Sequence, residues 1–145
     1  MDWIAWDETL DTGHAGLDAE HRELARLFNR LRDATDGEGK AACARLLDDI
    51  IEHSRTHFEL EQQLMAQQRY PMAEQHTAEH EMLLRQAFEY RANFDLDTAA
   101  ARSTLKNFPE VWLAYHILFS DKALAAFLAR SGENPDAPRR ADVGP

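Results

Sequence analysis

Five histidines and two carboxylates in this chain are spaced as metal ligands. His76 and His80 lie one helical turn apart, as do His57 and Glu61. His116 is followed at five residues by Asp121, and His21 stands alone upstream. Residues at i and i+4 share a helix face, so each close pair can present two ligands to one point. His116 and Asp121 are roughly 140° apart around an ideal helix. That spacing predicts that they do not point the same way and that Asp121 approaches from the flank. A flanking carboxylate suits a bridge between two metals better than a chelating pair on one. Five imidazoles and two carboxylates aimed inward would hold two metal ions.

Helices must position these residues, and the apolar pattern supplies four. The first is predicted from an N-cap at Asp18 to about Ala34, with Leu24, Leu27, Phe28 and Leu31 inward and His21 one turn before them. Asp36-Gly37-Glu38-Gly39 breaks it. The second runs from Lys40 to Gln67 with Leu46, Leu47, Ile50, His57, Leu60, Glu61 and Leu64 on its stripe. Tyr70-Pro71 marks the next boundary, since the residue before proline disfavours helix. The third covers Met72 to Asn93, with His76, His80, Leu83, Leu84, Ala87 and Phe88 inward. The fourth follows the Phe94-Asp95-Leu96-Asp97 turn and reaches about Arg130. Its stripe is Leu105, Phe108, Trp112, Tyr115, His116, Phe119, Ala123 and Phe127. Pro109 inside that pattern should kink or split it. The prediction is an all-α, up-down-up-down antiparallel four-helix bundle over residues 1–130, a fold that builds cofactor sites from facing side chains. Residues 1–17 form an arm carrying Trp3, Trp6 and a Thr12-Gly13 turn. Residues 131–145 lack an apolar period and read as a disordered tail.

Taken singly, a His-x-x-x-Glu is usually a surface pair, a His-x-x-x-His is a metal site in a minority of cases, and a His and an Asp five apart mean almost nothing. The apolar neighbours put these pairs on buried stripes, where uncompensated carboxylates and imidazoles are costly. No Lys or Arg interrupts the stripes near them, so two cations are the natural countercharge. Imidazole and carboxylate without thiolate suit iron, zinc or manganese. The donor set is too large for one tetrahedral zinc and too small to fill two octahedra. A solvent-derived oxygen bridge would leave one position vacant, walled by apolar side chains, a design suited to binding dioxygen.

Asp18-Ala19-Glu20-His21, His57-Phe58-Glu59-Leu60-Glu61, Tyr70-Pro71, His76-Thr77-Ala78-Glu79-His80 and Trp112-Leu113-Ala114-Tyr115-His116-Ile117, then Asp121, resemble the hemerythrin family and within it the bacterial single-domain members, the bacteriohemerythrins. The resemblance covers residues 3 to 128. It implies a non-haem centre of two iron ions, oxo- or hydroxo-bridged, that binds dioxygen reversibly. By position it implies His76, His80 and His116 on one iron, His21 and His57 on the other, and Glu61 and Asp121 as bridges. It also implies an oxygen pocket of Leu24, Phe58, Trp112, Leu113 and Ile117. The chain departs from the family's pattern at Gln62, at His53 and at Ser120, where an apolar residue is usual. A hydroxyl at Ser120 would let water nearer the site. His53 reads as a helix-flank imidazole or an outer partner of the site, and His14 as a loop or arm contact.

The bulk properties bound the partners. Of 145 residues, 26 are acidic and 16 are Lys or Arg, a net charge of -10. That balance argues against nucleic acid or anionic lipid as a partner. The single cysteine, Cys43, can form no internal disulfide and reads as a small packing residue. The first seven residues have no basic flank and no apolar run, and no stretch of about 20 apolar residues is evident, so no leader and no membrane insertion are expected and the location is predicted to be cytoplasmic. Three function classes remain. One is an oxygen carrier, store or local supplier, which is not an enzyme. One is an oxygen sensor acting through a separate signalling partner. One is a di-iron oxidase, peroxidase or nitric-oxide-handling enzyme, and the histidine-rich set favours binding over it. Iron donation for cluster repair is a weaker fourth.

Overall fold

Apolar residues recurring every three to four positions build the molecule from helices alone among the described residues. The computed structural model describes residues 11–131, and at 109 and 110 the backbone only. The expected arm residues Trp3 and Trp6 and the expected tail beyond Ser131 lie outside the described residues. Four long helical runs, α1 (Ala15–Gly37), α2 (Lys40–Gln67), α3 (Ala73–Asn93) and α4 (Ala99–Tyr115), are followed by a π-helical turn over His116–Asp121 and by α5 (Lys122–Arg130). Helix α1 packs on α2 and α4, α2 packs on α3, and α3 packs on α4. This is the four-helix bundle that the periodicity predicts.

The helix ends follow local chemistry. The α1 N-cap is His14, not Asp18: the His14 ring accepts from the Leu17 amide. Asp18 is buried in the first turn and accepts from the Thr12 amide, the Thr12 hydroxyl and the Gly13 amide. It therefore folds the preceding turn back onto α1, which begins three residues earlier than expected. Gly13 takes φ 89° there, a conformation open to glycine. At the end of α2, Arg69 takes φ 54° and stops the helix before Tyr70-Pro71. The α4 N-cap is Thr98, whose hydroxyl accepts from the Ala101 amide.

Two corrections concern the last helical run. It is not interrupted at position 109, and its one departure from α geometry is the turn at His116–Asp121. In addition, Tyr115, Phe119 and Ala123, expected inward, are exposed, as is Phe88 of α3. Beyond His116 the inward positions are Ile117, Asp121, Leu124, Ala125 and Leu128. Residues Ala99–Arg130 also form the one helix, among the described residues, long and apolar enough by length and composition to cross a membrane, which the sequence reading had not anticipated. Its apolar positions Leu105, Trp112, Leu113 and Ile117 are buried in the bundle core, which is how a core helix acquires that hydropathy.

The core has two parts with a polar layer between them. The larger runs from Leu24 through Leu31 on α1, with Cys43 to Phe58 on α2, Leu83 and Ala87 on α3, and Leu105 to Ile117 on α4 and the π turn. The smaller holds Met65, Tyr70, Leu124 and Leu128. Where the two parts adjoin lie His21 on α1, His57 and Glu61 on α2, His76 and His80 on α3, and His116 and Asp121 on the π turn. The seven metal-type residues therefore occupy one stratum of the bundle, with apolar side chains of the two parts on either side.

Candidate metal centre

Each of the seven is buried, with at most 4% of its surface exposed. Every one of the five imidazoles turns Nε2 inward. His57 Nε2 lies 2.7 Å from Glu61 Oε1, while His76 and His80 Nε2 each lie 2.9 Å from Glu61 Oε2. His21 Nε2 lies 2.9 Å from Asp121 Oδ2, and His116 Nε2 lies 2.9 Å from Asp121 Oδ1. The donors fall into two groups. Glu61, His76, His80, His116 and Asp121 form one; His21, His57, Glu61 and Asp121 form the other. Glu61 and Asp121 alone belong to both.

Asp121 does not approach from the flank. The π turn hydrogen-bonds i to i+5, so it takes in one extra residue and sets position 121 above position 116. A five-residue spacing then acts as a four-residue spacing does in an ordinary helix. His116 and Asp121 point the same way, and the frame of every inward residue after them moves on by one.

The donor chemistry fits cations. Glu61 Oε1 and both Asp121 carboxylate oxygens are buried without a hydrogen bond, although imidazole nitrogens lie within 3.2 Å. Imidazole nitrogens also face each other: His21 Nε2 and His57 Nε2 are 3.0 Å apart, and His80 Nε2 and His116 Nε2 are 3.1 Å apart. Lone pairs converging on shared points are what metal ligands present, and buried carboxylates left so are otherwise costly. Among the described residues the ion partners of Glu61 and Asp121 are all imidazoles, as the absence of Lys and Arg from the stripes implies.

Two residues of the site escaped the sequence reading. Glu20 holds His57 at Nδ1, and Glu79 accepts from His116 Nδ1 at 2.5 Å. A carboxylate on Nδ1 fixes the ring and puts the lone pair on Nε2. Both are Glu-His dipeptides, Glu20-His21 and Glu79-His80: the glutamate preceding one ligand histidine supports a ligand histidine on a neighbouring helix. That repeated dipeptide was the available signal. His53, neither a plain flank residue nor a ligand, bonds through Nε2 to the Glu20 carbonyl at 3.2 Å.

The five expected pocket residues are all buried in the larger apolar part of the core. Phe58 stacks on His80 with ring centroids 4.0 Å apart and 9° between planes. Trp112 donates its indole N–H to the Leu83 carbonyl at 2.7 Å, tying α4 to α3.

With this geometry in place the comparisons are decisive. Residues 12–128 match the family model described as the hemerythrin HHE cation binding domain. The chain belongs to the hemerythrin family. It is 33% identical to a bacteriohemerythrin of Ralstonia nicotianae over 138 residues, 94% of this chain and 96% of that one. Against a bacteriohemerythrin of Pseudomonas aeruginosa it is 30% identical over 121 residues, 83% of this chain and 78% of the relative. A bacteriohemerythrin of Methylococcus capsulatus is 26% identical over 122 residues, 84% and 92% of the two chains. A buried His, Glu and Asp group suited to metal thus sits within a hemerythrin domain.

Protonation in the metal-free state follows from the same contacts. Burial works against a charged His57, but the Glu61 carboxylate, with those of Asp121 and Glu20 beside the ring, holds its pKa well above the usual range. His116 is likewise raised against burial by Asp121, Glu61 and Glu79. Burial and mutual repulsion would raise Glu61 and Asp121, yet the imidazolium charges hold both well below the carboxylate range. His80 is lowered, chiefly by burial. The imidazole contribution to metal-free stability is full below about 6.5, the ordinary histidine value, and is lost as pH rises through the elevated folded values. The carboxylate contribution is present above about 4.5 and is lost as pH falls through the depressed values. Metal must displace the protons held on His57 and His116, and on His76, whose pKa is also raised by Asp121 and Glu61 against burial. Near neutral pH we expect protons to be released on loading, and an apparent affinity that rises with pH. Titration calorimetry in buffers of different ionisation enthalpy measures this; uptake with no proton release would contradict the arrangement.

Proposed function

We propose that the two donor groups hold a pair of iron ions and that the centre binds dioxygen reversibly. The observation that carries this is the sharing of Glu61 and Asp121 between a three-histidine group and a two-histidine group beneath an apolar wall. His76, His80 and His116 hold one ion, and His21 and His57 hold the other, with both carboxylates common. Ferrous iron would supply the electrons that dioxygen binding requires. The two-histidine side has fewer protein donors and is the place for an exogenous ligand. Leu24, Phe58, Trp112, Leu113 and Ile117 keep water from it, and Glu20 and Glu79 keep the ligand imidazoles oriented. Five histidines against two carboxylates favour binding over oxidative chemistry, so the role we infer is that of a cytoplasmic carrier, store or local supplier passing oxygen to a separate protein. The match to a cation binding domain of the hemerythrin family supports the metal part of this reading.

Elemental analysis should find two irons per chain. The optical spectrum of the reduced protein should change in air and return when oxygen is removed. A single zinc with no iron uptake would reject the di-iron reading. A one-way change to oxidised protein would reject the carrier reading and promote an oxidase or peroxidase.

A further inference from the structure

Ser120 is the position at which the family resemblance implies an apolar residue and at which the sequence leads one to expect a route for water. The structure gives that hydroxyl a partner. Ser120 Oγ lies 2.8 Å from Glu79 Oε2 and 3.0 Å from Glu79 Oε1. Glu79 Oε1 is also the oxygen that accepts from His116 Nδ1. A carboxylate only accepts, so both Ser120 and His116 must donate to it. A hydroxyl carries one proton, and the shorter contact assigns it to Oε2, which leaves Oε1 to the imidazole. Glu79 is a half-buried side chain that would otherwise be free to turn toward solvent. Among the described residues Glu20, its counterpart on His57, has no such second donor.

We propose that Ser120 is a positioning residue that locks Glu79 onto His116, so that the three-histidine group holds its metal more tightly than the wall residue alone would allow. Ser120 touches no donor atom of the centre. It acts through Glu79, which fixes the ring and tautomer of His116. The lock belongs to the π turn, which supplies His116, Ser120 and Asp121 together. The inference rests on the site holding iron, and it is independent of what the iron does with oxygen.

A double-mutant cycle tests it. Iron-loaded protein is challenged with a coloured ferrous chelator, and the rate of iron loss is followed. Glu79→Gln should lose iron about tenfold faster, within the range found for outer partners of metal ligands. Ser120→Ala should lose it about threefold faster, one lost hydrogen bond to a charged group acting indirectly. Ser120→Thr should restore the parent rate. In the Glu79→Gln background Ser120→Ala should add nothing. A second readout needs no metal: the His116 Nδ1 proton resonance should move upfield in metal-free Ser120→Ala and return in Ser120→Thr. Additive effects in the cycle, or an unmoved resonance, would overturn the lock and leave Ser120 as a point of water entry. If the parent protein takes up no iron, the proposal fails together with the di-iron reading; if it holds iron and the cycle is additive, the lock alone fails.

Discussion

Glu61→Ala should fold and retain neither metal ion, whereas single histidine changes should cost mainly the ion they serve. Glu61 is the side chain on which imidazoles of α2, α3 and the π turn meet: His57 reaches Oε1, His76 and His80 reach Oε2, and His116 Nε2 lies 3.8 Å from Oε2. With Asp121 it is common to both donor groups. Removing it takes a donor from each ion and the charge that offsets both. Glu61→Gln keeps the volume and loses the charge, so it separates packing from electrostatics. In the metal-free state the loss removes the largest charge interaction that keeps His57 protonated against burial, so its pKa should fall, with Glu20 and Asp121 left to oppose that fall. The metal-free variant should thus lose part of its acid-side stability but remain folded, since the apolar parts of the core are untouched. The larger loss is of metal-linked stability: at free metal a thousandfold above the dissociation constant, each site contributes about 4 kcal/mol. Elemental analysis and thermal melting with and without iron measure both effects. His53→Ala is the control, because His53 bonds to the backbone carbonyl of Glu20 and to none of the seven donors. Two irons retained in Glu61→Ala, or lost in His53→Ala, would refute the assignment.

The bundle and the identity of its polar layer were legible because both depend on i, i+4 periodicity. On α2 and α3 the pairs His57/Glu61 and His76/His80 sit in unbroken α-helix, and the sequence frame carries straight through. The last helical run is different. Local propensity offers nothing that marks His116–Asp121 as a π turn, since each of its residues is compatible with α-helix. An ideal frame drawn through it therefore puts Phe119 and Ala123 inside and Asp121 on the flank. The extra residue resolves both errors at once, exposing Phe119 and burying Asp121, Leu124 and Leu128. Only the functional demand, that a carboxylate five residues after a histidine join it on one site, hints at the turn. π turns are enriched at functional sites for this reason.

The outer carboxylates were missed for another reason. Glu20 and Glu79 are half-buried and lie off the apolar stripes, where an acidic residue reads as surface. Their role depends on which helices are neighbours: His57 is on α2 and Glu20 on α1, and His116 follows α4 while Glu79 is on α3. Sequence spacing within one helix carries no such information. The same holds for His14, whose capping of α1 depends on a turn held by Asp18.

Phe58→Ala should be the most damaging change outside the seven donors. Phe58 is 1% exposed, stacks flat on His80 and meets the edge of His116 with centroids 5.5 Å apart. It also packs in the apolar cluster with Leu24, Trp112, Leu113 and Ile117. Truncation removes a ring that no neighbour can replace, because Trp112 is tethered through its indole to Leu83. The expected cost is about 3–5 kcal/mol, which for a domain of this size lowers the melting temperature by roughly 10 °C or more. The space left would be lined on one side by imidazoles, polar enough to hold water where the parent holds the Phe58 ring. Iron should still bind, since no donor is lost, but the optical change in air should reverse over fewer cycles before the protein is oxidised for good. Phe58→Leu should fall between, and Phe119→Ala should do little, because Phe119 is 64% exposed. The decisive comparison is metal-loaded Phe58→Ala against metal-loaded parent. Equal melting temperatures and equal numbers of oxygenation cycles would show that the wall above His80 contributes neither stability nor dryness, and would remove the apolar pocket from the proposed account of oxygen binding.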